Sequence, residues 1–68
     1  MTYYIKVSNV PEDLATIIFP EIKSRLEGYI GCIEGYCSAL FYTENKKLFN
    51  EATKFLEFIG VQYTTFEW

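Results

Sequence analysis

The spacing of apolar residues along this chain switches from the period of a strand to that of a helix and back, twice, and few folds accommodate that alternation. Residues 3–10, YYIKVSNV, set Tyr3, Ile5 and Val7 against Tyr4, Lys6 and Ser8, which is the two-residue period of a strand. Asn9-Val10-Pro11 predicts its end. Pro11 suits the first turn of a helix, where its missing N–H costs nothing, and Glu12 and Asp13 suit the positive end of the helix dipole. From 12 to 27, Leu14, Ile17, Ile18, Ile22 and Leu26 fall on one helical face. Pro20 removes a helical hydrogen bond and predicts a kink or restart, and Gly28 predicts a C-terminal stop. Residues 29–43, YIGCIEGYCSALFYT, are two β-rich runs on either side of Glu34-Gly35, a hairpin pattern. Thr43 is placed to cap a second helix in which Leu48, Ala52, Phe55, Leu56 and Ile59 share a face and which Gly60 ends. VQYTTFEW, residues 61–68, reads as the last strand.

Strand, helix, hairpin, helix, strand is the split β-α-β pattern. It predicts a single α+β domain over residues 1–68, β-α-β-β-α-β and ferredoxin-like, with a four-stranded antiparallel sheet, two helices on one face and the other face open. No linker, repeat or low-complexity stretch divides the chain. A domain of 68 residues buries only about 60% of its unfolded surface. Six Tyr, six Phe and one Trp are therefore hard to hide, and an exposed aromatic patch points to a partner.

Two stretches within this pattern stand out: IKVSNVP, with Ile5, Val7, Asn9, Val10 and Pro11, and EGYCSALF, with Gly35, Tyr36, Cys37, Ala39 and Phe41. In them the chain resembles an RNA-recognition motif, whose first and second signature stretches they match at those positions. The resemblance spans the whole chain in element order. It implies base stacking on rings of the open sheet face. At those positions the first strand has Lys6 and the third has Tyr36 and Ser38, while Glu34 stands where the family carries a phosphate-contacting basic residue. The scaffold is thus expected to be RNA-recognition-like with its RNA surface largely lost.

Strand alternation sends Ile5, Val7, Cys37, Ala39 and Phe41 toward the helices and Tyr4, Lys6, Tyr36, Ser38, Leu40 and Tyr42 outward. If Val61 and Tyr63 face the core, Thr64, Phe66 and Trp68 join the open face. A one-residue slip of the last strand inverts that assignment. Two readings stay open. In one, Tyr4, Lys6, Tyr36, Leu40, Tyr42, Phe66 and Trp68 form a docking surface for a protein partner or a second copy. In the other, the side chains cover one another and the last strand frays. Glu12, Asp13 and Glu21, with Glu27, form an acidic set that either meets a basic partner or is an ordinary solvated helix face.

Cys32 and Cys37 would sit opposite each other across a two-residue turn. Two cysteines in such a chain are expected as thiols in the core, with a redox-switchable bridge or half of a metal site as the alternatives. With no His and no third Cys, no metal and no cofactor are expected. No nucleophile elbow or phosphate-binding loop is present, so an enzyme is not expected. Net charge is −3, with nine acidic and six basic residues interspersed, which disfavours nucleic acid. No apolar run approaches the roughly 20 residues of a membrane span, and the start of the chain lacks a signal-peptide pattern, so a cytoplasmic protein with no membrane contact is expected. The function expected is a non-enzymatic protein-binding module, a small regulator or inhibitor of a larger complex. That profile of size and composition is shared by proteins carried by phages and other mobile elements. The alternatives are a single-stranded RNA binder and a homodimer holding a small ligand.

Overall fold

A computed structural model describes all residues, 1–68. The elements are β1 (Tyr3–Pro11), α1 (Glu12–Lys23), β2 (Glu27–Ile33), β3 (Tyr36–Thr43), α2 (Lys46–Ile59) and β4 (Tyr63–Glu67). The four strands form one antiparallel sheet in the order β2-β3-β1-β4. Phe19 of α1 meets Phe41 edge-on at 5.6 Å, and Phe49 of α2 stacks on Tyr3 at 5.1 Å. Tyr3 and Phe41 lie on the same face of the sheet, because Tyr3 shares the parity of Ile5, which pairs with Phe41. Both helices therefore cover one face and leave the other open.

The core is wholly apolar. Ile5, Val7, Phe41 and Leu56 are fully buried at its centre, Phe19 nearly so, and Ile18, Ile22, Leu26 and Ala39 surround them. Each large side chain in that set contributes roughly 1.5–3 kcal/mol by leaving water.

β1 runs further than its sequence pattern predicts. Val7 pairs with Ala39 and Val10 with Cys37, so Ser8 and Asn9 together face Ser38 in a β-bulge. Asn9 takes the left-handed conformation (φ 59°) that Asn tolerates, and its N–H donates to Ser38 Oγ at 3.4 Å. The bulge shifts the parity, which turns Val10 into the core and carries the strand on to Pro11.

The first helix differs from expectation in face and in length. It buries Ala15, Ile18, Phe19 and Ile22, an i, i+3, i+4, i+7 stripe, and leaves Leu14 and Ile17 exposed. Two neighbouring apolar stripes compete on this helix, and the one that carries Phe19 onto Phe41 faces the sheet. The helix continues through Pro20 and ends at Lys23. A tight turn, with the Arg25 and Leu26 N–H groups both donating to Ile22 O, then tucks Leu26 into the core.

Gly28 is accordingly no helix stop. It lies in β2, where a Cβ would stand 2.6 Å from Leu40 O and 2.8 Å from Phe41 Cδ1.

The cap of α2 is Asn45, whose Oδ1 accepts from the Lys47 and Leu48 N–H groups at 3.0 and 3.3 Å. Thr43 serves one step earlier, with its Oγ1 accepting from the Asn45 N–H at 3.0 Å. At the other end Gly60 is left-handed (φ 78°) and the Val61 N–H returns to Leu56 O, a Schellman ending.

Glu34 and Gly35 both have positive φ, 55° and 81°, the type I′ turn that suits a two-residue hairpin. Cys32 and Cys37, paired in register behind that turn, form a disulfide rather than the two free thiols expected. Their Cα atoms are 4.0 Å apart, the close approach of a non-hydrogen-bonded antiparallel pair. Cys37 is buried as expected, and Cys32 is exposed.

Candidate functional site

The register of β4 decides what the open face contains. Tyr4 pairs with Phe66 and Lys6 with Thr64, so Phe66 and Thr64 point outward with them, and Tyr63 turns partly into the core. Two backbone hydrogen bonds join Thr2 and Trp68, at 2.8 and 2.9 Å, so the backbone remains paired to the last residue.

Cross-strand pairing then lays the outward residues in rows. One row is Phe66, Tyr4, Tyr42 and Glu27, crossing all four strands, and the next is Thr64, Lys6, Leu40 and Tyr29. The rings make one cluster. Tyr4 stacks on Phe66 at 4.8 Å, lies 6.1 Å from Tyr42, and receives the edge of Trp68 at 6.3 Å, while Tyr42 lies 6.1 Å from Tyr29. Pairs of this kind add roughly 0.5–1.5 kcal/mol beyond area burial. Even so, much ring surface stays in water, with Trp68 83% and Tyr29 71% exposed.

Of the expected site residues, Tyr4, Tyr42, Phe66 and Trp68 come together, and Leu40 adjoins them. Lys6 stands between Leu40 and Thr64, and Arg25 borders the cluster in a pocket lined also by Tyr4, Glu27 and Tyr42. Tyr36 sits apart. A row of small residues, Ser8, Ser38 and Gly31, separates it from the cluster, and its neighbour is Ile33 at the hairpin tip. Glu12, Asp13 and Glu21 lie exposed on α1, on the far side of the sheet from the rings. Glu27 belongs to β2 rather than to the helix and borders the cluster beside Tyr42.

Tyr29 and Ile33 belong to this surface and were missed from the sequence. Their signal was present. A two-residue turn at 34–35 places Ile33 opposite Tyr36, and alternation then sends Tyr29 to the same face as Leu40.

The cluster also perturbs a titration. Hydrogen bonding with Tyr29 first, then partial removal from water and the nearby Glu27 carboxylate, hold the Tyr42 phenol above its ordinary value of 10.0. The Tyr42 phenol is therefore neutral at physiological pH, and the charged side chains around the rings are Lys6, Glu27 and, in the pocket that Tyr4 and Tyr42 help to line, Arg25 and Glu44.

No three His, Cys, Asp or Glu side chains converge as a metal site would require. No helix is long and apolar enough to cross a membrane. The chain matches no protein-family model, no curated protein and no solved structure.

Proposed function

We propose that the chain is a non-enzymatic protein-binding module, a small regulator or inhibitor of a larger assembly, which docks through the open face of its sheet. The observation that carries this reading is the ring cluster of Phe66 and Trp68 on Tyr4, then Tyr42 and Tyr29, which spans the whole sheet on its solvent side. A solvated antiparallel sheet normally turns polar residues outward. Tyr, Trp and Phe concentrate in the buried centres of protein interfaces, where Lys and Glu are depleted. On this face Lys6 and Glu27 lie at the margin of the rings, the arrangement of an apolar centre with a polar rim.

The strand order β2-β3-β1-β4, with both helices on one face, supports a ferredoxin-like assignment for the scaffold. The two stretches that resemble an RNA-recognition motif fall on the adjacent central strands β1 and β3, which supports an RNA-recognition-like ancestry. RNA binding is the weaker reading of the surface. Tyr36, the one conventional stacking ring retained, is separated from the other rings, and Lys6 and Arg25, the latter beside Glu27 and Glu44, offer little counterion release.

The test is capture from native lysate on the immobilised chain, compared with its Tyr42→Ser and Trp68→Ser variants. Both variants should keep the wild-type circular dichroism, because neither ring lies in the core. A specific protein retained by the wild type should be lost from both, since truncating a buried anchor costs about 2–4 kcal/mol of binding. A partner that binds all three equally, or retention of nuclease-sensitive RNA alone, overturns the proposal.

A further inference from the structure

β2 is an edge of the sheet, and nothing guards it. Soluble proteins protect edge strands with Lys, Pro, bulges or short length. β2 has seven residues, EGYIGCI, paired without a bulge along β3, and its single charge is Glu27 at one end. The opposite edge, β4, is shorter at five residues, one of those protective devices.

The backbone groups on the free edge follow from the turn. In a two-residue hairpin Ile33 and Tyr36 form a hydrogen-bonded pair, so pairing with β3 alternates through Gly31, Tyr29 and Glu27. The close Cα spacing at Cys32 and Cys37 marks the non-hydrogen-bonded pair between them. Gly28, Ile30 and Cys32 therefore direct their N–H and C=O groups away from the sheet.

We infer that this edge pairs with β2 of a second copy, antiparallel about a twofold axis through Ile30, so that two sheets join into one. The sequence of β2 complements itself in that register. Ile30 meets the partner's Ile30, and Gly28 meets the partner's Cys32, so all the free edge groups find partners. On the helix side, Ile30 is 41% exposed in the single chain and would be covered by its mate. On the open face, Tyr29 lies opposite the partner's Gly31. The space above Gly31 is empty, with no atom within 4 Å of where a Cβ would stand, and an aromatic ring across from a strand glycine packs well. Charge opposes the pairing only at its two ends, where each Glu27 faces the partner's Ile33 and lies one position from the partner's exposed Glu34. The two Glu27 residues stand six positions from each other across the pair, about 20 Å apart, well beyond the roughly 8 Å screening length of physiological salt. The disulfide and the type I′ turn hold β2 on β3, so little ordering entropy is lost on association. Both ring clusters then lie on one face of a continuous sheet. This pairing uses the edge alone and does not rest on the docking role of the open face.

Sedimentation and amide hydrogen exchange on the oxidised chain at NMR concentration test the inference. The expected mass is twice the 8.0 kDa of the chain, with the Gly28, Ile30 and Cys32 amides protected alongside those of Tyr29 and Gly31. Ile30→Pro removes an N–H that makes no bond within the chain, so it should halve the mass and expose the Gly28 and Cys32 amides while the β3 amides remain protected. Ile30→Lys should also give monomer. Trp68→Ser, which alters the open face beside β4 at the opposite edge of the sheet, should stay dimeric. A wild-type mass of 8.0 kDa, free exchange at Gly28, Ile30 and Cys32, or a dimer lost in Trp68→Ser but kept in Ile30→Pro overturns it.

Discussion

Replacing Gly28 with Ala adds one methyl group at a place where the sheet has no room for it. The new Cβ would stand 2.6 Å from Leu40 O, 2.8 Å from Phe41 Cδ1 and 3.0 Å from Phe41 Cα. Two of these three atoms are backbone in the neighbouring strand, and the third belongs to a fully buried ring packed against Phe19. No flexible side chain can swing aside, so β2 must lift from β3 or Phe41 must leave its place. Overpacking of this kind costs about 1–3 kcal/mol. The loss of chain entropy in the unfolded state returns about 0.4–1 kcal/mol. A net loss of about 1–2 kcal/mol is expected, a large share of the roughly 3–5 kcal/mol that a core of this size supplies. At about 4–8 °C per kcal/mol for a domain of this size, Tm should fall by about 5–15 °C. Thermal melts followed by circular dichroism, with urea midpoints as a second measure, give the answer at one fixed protein concentration. If Gly28→Ala matches or exceeds the wild type in stability, β2 does not pack on β3 as described.

Three further outcomes follow from local contacts. Asn45→Ala removes the side-chain acceptor of two helix N–H groups and should cost about 0.5–2 kcal/mol by urea denaturation, with Thr43→Ala costing less. Reduction of the Cys32–Cys37 bridge, which spans five positions, should cost at most about 2 kcal/mol and leave the fold intact, checked by melts with and without reductant. Tyr63 donates its hydroxyl to Glu57 Oε1 at 2.7 Å, and this bond, with lesser contributions from burial and the carboxylate charge, raises its pKa above 10.0. A pKa raised in the folded state means that the stabilisation is fully present below the unfolded value and is lost as pH climbs through the folded one. Phenolate absorbance should therefore show late-titrating tyrosine, part of which disappears in Tyr63→Phe, and simultaneous titration of all six tyrosines would refute this.

Short-range chemistry was legible in the sequence. Glu34-Gly35 between two β-rich runs makes the hairpin, Gly60 ends the second helix, and the alternation over residues 3–7 and 36–42 sorts inward from outward residues correctly. Tyr4, Leu40 and Tyr42 are thus assigned to the open face by sequence alone, whereas Phe66 and Trp68 join it only through the register of β4 against β1. Apart from that register, each of these features depends on dihedral preference or on side-chain period within a few residues, and those are properties of the local chain.

Other features needed the partner elements in place. Leu14 and Ile17 fit a helical face as well as Ala15 and Phe19 do, and only the position of Phe41 selects the second stripe. Gly28 reads as a helix stop until Leu40 and Phe41 arrive beside it. The bulge at Ser8-Asn9, which brings Val10 inward, is defined by pairing with another strand, where Ser38 Oγ accepts from the Asn9 N–H. Tyr36 has the parity of the ring cluster yet stands apart from it, because distance along β3 and the small residues across the sheet set its neighbours. The sequence by itself determined which elements form and which way their side chains alternate. Only the tertiary structure decided which of several equivalent faces is buried and which rings meet, because those choices are made by contacts between residues far apart in the chain.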